Sequence, residues 1–284
     1  MSPAMQSVFD DWTIPVWLTL AIVVTSALYL RGWFALHKTR PVQFNGWTLF
    51  SFLAGMASLW LAIGSPMDAF ADVLLSAHMI EHLILMSIVP PLVLLGQPIV
   101  PMLRGLPRFL RKGVAGPLLR LRPLRRFAHW FITPVVAWLA MNITLLAWHV
   151  PGAYDIALEN ETIHDIEHLC FLFTSILFWW NIVRPWPTTR RDYNWGILLY
   201  LVSADLVNTA LSASLAFSNR PVYTYYVEHP NPFGLAPLPD QVLGAAVMWV
   251  VGSLAFLFPA GMITLQLLQP SRYHSQYSQA HKSA

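Results

Sequence analysis

Seven stretches of this chain run for 18 residues or more with almost no charge, and they decide the solvent in which it folds. They cover approximately residues 14–35, 47–64, 73–96, 132–149, 163–183, 194–217 and 241–267. A helix rises 1.5 Å per residue, so roughly 20 apolar residues cross the hydrocarbon core of a bilayer. In lipid, each backbone N–H and C=O must be satisfied within the segment, which makes runs of this length helices. Only 11% of the 284 residues are charged, against about 25% in soluble domains. Thirteen Trp and 22 Pro suit a bundle with aromatic interfacial belts. The expected fold is all-α: a polytopic membrane helical bundle of about seven transmembrane helices, forming a single domain over residues 1–284. The first segment does not read as a cleavable signal, because Asp10 and Asp11 precede it and no small-residue cleavage site follows.

Lys and Arg segregate completely under this span count. Arg31, Lys38, Arg40, the eight basic residues of loop 98–131, Arg184, Arg190, Arg191, Arg272 and Lys282 fall on one side, and Arg220 alone on the other. That other side collects Asp10, Asp11, Asp68, Asp72, Asp155, Glu159, Glu161, Glu228 and Asp240. The positive-inside rule then puts the N-terminus outside and the C-terminus in the cytoplasm. Prolines at 101, 107, 117 and 123 break loop 98–131. Short amphipathic pieces lying on the anionic bilayer surface are expected there, and no nucleic-acid partner is needed to explain its charge. The single cysteine, Cys170, excludes an internal disulfide and any multi-cysteine metal site.

Two motifs of one frame, H-x-x-E-H, stand out against this apolar background: "HMIEH" at 78–82 and "HDIEH" at 164–168. Each opens a span from the outer side, and His149 closes span four at the same side. Histidines four apart share a helix face, with the glutamate on that face too. Each pair can chelate a metal ion, and Glu81 or Glu167 can ligate or orient an imidazole. Ionisable groups in a span face the bundle interior or a wet cavity. A faint repeat surrounds the motifs, since "SPMD" and "VPGAYD" each precede one by about a dozen residues.

The residue types leave the metal open. Imidazole suits zinc, copper, iron and nickel. Thioethers favour Cu(I), with Met79, Met86 and Met248 near the histidines in this topology. The same frame is a zinc-protease signature with glutamate as general base, and facing histidines also suit bis-histidine haem. A purely structural role, with the histidines packing or contacting a partner, is the remaining alternative. Asp240 opens span seven on the outer side, as an N-cap or as part of the site. Asp205, in "SADLVNTALSAS", is expected to serve interhelical hydrogen bonding.

"HMIEHLILMSIVPPLVLLGQP", "WHVPGAYDIALEN", "HDIEHLCFLFTSILFWW" and "LPDQVLGAAVMWV" together resemble the CtaG family of cytochrome c oxidase assembly factors, the type associated with caa3 oxidases. The blocks keep the family's order across roughly residues 47–260. The resemblance implies about seven spans in a bacterial plasma membrane and a non-enzymatic role in maturing haem–copper oxidases. It also implies copper as the metal, with an oxidase subunit and an extracytoplasmic copper chaperone as partners. It points to His78, His82, His149, His164 and His168, and further to Asp240, Gln241, Met248 and Trp249. One departure is Glu81, where the family more often carries glutamine; this weakens a catalytic-base role there. Glu167 follows the pattern. The rivals are an integral-membrane zinc metallohydrolase, a haem-binding electron carrier and a metal-free assembly scaffold.

Overall fold

The computed structural model describes residues 2–186 and 193–268. Arg190, Arg191, Arg272 and Lys282, which entered the charge count, lie outside the described residues, as do His274 and His281. The described residues form helices and connecting turns, with no strand among them. Six helices are long and apolar enough to span a bilayer. They are α1 (Val16–His37), α2 (Gly46–Ile63), α3 (Leu75–Leu95), α5 (Glu161–Val183), α6 (Trp195–Ala216) and α7 (Pro237–Leu268). The fourth expected span, α4 (Pro134–Trp148), is only 15 residues long. It reaches spanning length together with Arg122–Phe131, from which it bends by 62°. The chain is a multi-pass membrane bundle.

Large side chains such as Trp17, Val135, Leu199 and Phe258 point outward from these helices, as lipid-facing positions do. Arg122–Phe131 is exposed along nearly its whole length. At 100° per residue, Leu124, Phe127 and Phe131 share one stripe opposite Arg122, Arg125 and Arg126. It is an amphipathic helix within loop 98–131.

The faint repeat proves structural. Short helices Pro66–Val73 and Pro151–Glu159 each begin with proline in the first turn. Each ends at one extended residue, Leu74 (φ −132°, ψ 120°) or Asn160 (φ −136°, ψ 108°). The next span starts immediately, and its first motif histidine follows that extended residue by four positions. Both motifs therefore occupy the same turn of their helices at the same end of the bundle.

Below the first motif α3 changes pitch. Residues Ile84–Ile88 form a π turn, followed by Pro90–Pro91 in the next α-helical segment. The Trp179 indole N–H of α5 donates to the Met86 carbonyl at 2.8 Å, satisfying a backbone group of this altered turn.

Candidate metal centre

Helices α3 and α5 bring the two motifs face to face. His78 Nε2 and His82 Nε2 are 2.8 Å apart, and the rings of His164 and His168 are 4.2 Å apart between centroids. Across the helices, His78 lies 5.1 Å from His164 and His82 lies 5.8 Å from His168, ring to ring. The glutamates cross over. His168 Nε2 is 3.1 Å from Glu81 Oε1, and His82 Nε2 is 3.7 Å from Glu167 Oε1. Each motif's second histidine thus meets the other motif's carboxylate.

Two groups of ligand atoms converge to within 4.8 Å: His78, His82 and His168, and His78, His164 and Glu167. His78 belongs to both. The side chains of His78, Glu81 and Glu167 are fully buried. All four oxygens of the two glutamates lack a hydrogen-bond partner, as do His82 Nδ1, His164 Nε2 and His168 Nε2. The short His168–Glu81 contact therefore lacks hydrogen-bond alignment. Buried polar atoms normally have partners, and unpaired buried carboxylates are strongly unfavourable. A cation between the helices would supply what these lone pairs lack.

The remaining expected residues divide. His149 is buried and its ring sits 6.0 Å from that of His82, outside both close groups. Its Nδ1–H donates to the Leu145 carbonyl at 2.8 Å, which leaves Nε2 as a bare lone pair. Asp240 is an N-cap, but of another helix. Its carboxylate accepts the backbone N–H of Leu75 at 2.7 Å and of Ser76 at 3.2 Å, anchoring the turn that carries His78. Gln241 accepts from Val222 N and donates to the Leu215 carbonyl, tying α7 to α6 and to the following loop. Met248 is buried and lines a cavity beneath the histidines.

Tyrosines roof the site. Tyr154 stacks on Tyr223 at 3.9 Å between centroids and lies 5.2 Å from the His78 ring. The Tyr226 hydroxyl donates to the Ala71 carbonyl at 3.0 Å and stands 3.4 Å from His78 Nδ1. Burial pushes all three phenols up, so they remain protonated. Beside this roof, half-buried Asp68 is pushed up to about 7, first by burial and then by the charges of Asp72, Asp165 and Glu161. The end of the bundle that holds the histidines is therefore acidic.

Residues 27–269 match the model of the cytochrome c oxidase caa3 assembly factor family, Caa3_CtaG. The chain belongs to this family. Among relatives of this caa3 assembly-factor chain, an uncharacterised protein of Mycobacterium bovis and one of Mycobacterium tuberculosis are each 26% identical over 285 residues, covering 95% of this chain. One from Mycobacterium leprae is 22% identical over 260 residues, covering 87%. The chain spans about two-fifths of the length of these relatives, at 41%, 41% and 38%. No solved structure matches it.

Several residues at the site of this caa3 assembly-factor chain escaped the sequence reading. Tyr154 stands inside "VPGAYD", between two marked histidines, and that position was its only signal. Tyr223 and Tyr226 arrive on a loop more than 140 residues from His78, and no local spacing marks them. Met141 sits about two turns before His149. Its apolar context made it indistinguishable from core. The interhelical bond expected of Asp205 is made instead by Asn208, which donates to the Met248 carbonyl at 3.3 Å, while Asp205 Oδ1 is buried without a partner.

Proposed function

We propose that the protein takes up copper at the end of the bundle where the two motifs meet, and passes it to a cytochrome c oxidase under assembly. The observation that carries this reading is the crossed pairing of two H-x-x-E-H motifs whose buried carboxylates and imidazoles have lone pairs but no donors. Four neutral imidazoles and two carboxylates balance one divalent ion or two monovalent ions. The family assignment supports the process, and the donor set is compatible with copper as the cargo, since imidazole is among the ligands that suit it. In this reading the membrane is the bacterial plasma membrane and the histidine end faces outward. The protein meets an extracytoplasmic copper chaperone there and an oxidase subunit as recipient.

Chemistry follows from the layout. Asp68, Asp72, Glu161 and Asp165 raise the local cation concentration at the mouth. Half-buried His164 meets the ion first, and His78, shared by both ligand groups, holds it deeper. The tyrosine roof limits water. Release proceeds by exchange, with a recipient's ligands replacing these imidazoles one at a time. In this reading the role is carriage of the ion.

The test is metal content by elemental mass spectrometry, alongside assembly of active oxidase in cells. We expect near-stoichiometric copper in the wild type, lost together with oxidase activity in His78→Ala/His82→Ala. Zinc with hydrolytic turnover would replace this reading with a metallohydrolase. Full oxidase assembly by the metal-free variant would leave a scaffold.

A further inference from the structure

Beneath the histidine–glutamate cluster lies a small cavity of about 20 Å³ between α3, α4, α6 and α7. That is room for one water-sized species or one ion, since a single water needs roughly 10–15 Å³ by this measure. Its wall is unusual in composition. Met79, Met86, Met141 and Met248 line it together with His82 and His149. All four methionines are at least 92% buried, with exposures of 1%, 8%, 1% and 4%. They come from three different helices, so no single amphipathic stripe brings them together.

Both histidines that line this cavity carry a buried ring nitrogen without a partner. His149 Nε2 is buried and unpaired, and its tautomer is fixed by the Nδ1–H bond to Leu145. A neutral imidazole oriented through its other nitrogen is the usual state of a metal-bound histidine. His82 turns Nε2 toward His78 in the upper cluster, while its Nδ1 is buried with no partner. One imidazole therefore borders both spaces.

Thioether sulfur is soft and uncharged. It holds Cu(I) well, and divalent zinc and Cu(II) poorly. The upper cluster, built of imidazole and carboxylate, has no such preference. We propose that the methionine-lined chamber is a second metal site, selective for Cu(I), that takes its ion from the upper cluster through His82. His149 is its nitrogen ligand, which accounts for a histidine that stands outside both close groups above. The proposal rests on the upper cluster being a copper site, and it assigns the ion an inward path and an oxidation state.

The full chain, purified in detergent and stripped of metal, would be loaded anaerobically with Cu(I) and separately with Zn(II). Ions would be counted by elemental mass spectrometry, and the copper coordination read by X-ray absorption. We expect copper–sulfur scattering in the Cu(I) sample and more copper than zinc bound per chain. Met86→Leu/Met141→Leu/Met248→Leu, which conserves volume, should lose the sulfur signal and weaken Cu(I) binding at least tenfold while leaving Zn(II) capacity unchanged. Single Met141→Leu, read the same way, reports a reduced sulfur contribution should the triple variant fail to fold. His78→Ala/His164→Ala should do the reverse, losing Zn(II) while keeping copper–sulfur scattering. Copper held only by nitrogen and oxygen, and lost in His78→Ala/His164→Ala, would overturn the chamber and leave the upper site standing. Absence of any bound copper in the wild type would overturn both.

Discussion

The first H-x-x-E-H motif is sealed, with His78, Glu81 and His82 all buried, whereas the second opens to the surface through half-buried His164 and exposed Asp165. Their helices begin alike, each after a short helix and one extended residue, but they are capped differently. Asn160 caps its own helix by accepting from Ile163 N at 3.2 Å, the ordinary local arrangement. Leu74 has no such side chain, and Asp240 of α7 supplies the carboxylate from 165 positions away. One motif is thus held by its neighbouring sequence and the other by the tertiary fold. The difference suits a division of labour in which an autonomous, accessible pair receives an ion and a pair locked to the last helix retains it.

The sharpest way to break this comparison is to remove each histidine pair in turn. His78→Ala/His82→Ala takes away the residue common to both ligand groups and should abolish copper retention in the upper cluster. His164→Ala/His168→Ala should leave residual binding, weaker by at least roughly 100-fold, the upper end for loss of a supporting contact. Elemental analysis after dialysis against a graded chelator series reads both. Equal loss in the two variants would remove the distinction between receiving and retaining pairs.

The caps come next. Asp240→Ala leaves two buried backbone N–H groups without a charged acceptor and should cost about 3 kcal/mol, visible as a large drop in Tm in detergent. Asn160→Ala should cost about 1 kcal/mol. Leu74→Asn in the Asp240→Ala background gives the first motif a cap like that of the second, and should recover roughly 0.5–1 kcal/mol. Thermal melts of the four proteins decide it, and equal losses for Asp240→Ala and Asn160→Ala would contradict the contrast drawn here.

The smallest effect concerns the acidic mouth. With its pKa raised to about 7 in the fold, Asp68 holds a proton that the unfolded chain has already lost above about pH 4. The folded state therefore binds more protons between about pH 4 and pH 7, and this contribution to stability declines as pH rises through that window. Asp68→Asn should flatten the decline and raise Tm slightly at pH 8, while slowing copper capture there because a negative charge is gone. Stopped-flow capture and melts across pH 5–8 measure the pair of changes.

The spans were legible because lipid imposes a length and a composition on each one, so α1, α2, α3, α5, α6 and α7 fall within a few residues of their expected limits. The motif histidines were legible because four-residue spacing is a property of one helix. The crossing of Glu81 to His168 and of Glu167 to His82 was not, since it depends on how α3 and α5 rotate against each other. Asp240 read as the cap of its own helix or as part of the site, and only the packing of α7 against α3 reveals whose N–H groups it accepts. The short fourth span was hidden as well. Residues 122–131 and 134–148 are both helical, and the bend between them is a matter of three-dimensional path.

The π turn at Ile84–Ile88 divides α3 into two independently phased halves. A π turn amounts to one extra residue within a helix, and one residue is about 100° of rotation. Without it, the face that carries His78 and His82 would continue straight down the helix. With it, Ile88, Pro91, Leu94 and Leu95 are turned onto a separate wide cavity of about 800 Å³. Substitutions on that lower face can accumulate without disturbing the histidines, while deletion of a single residue between 84 and 88 would swing one half of the helix out of register with the other. Sequence length across this short interval is thus under tighter constraint than sequence identity.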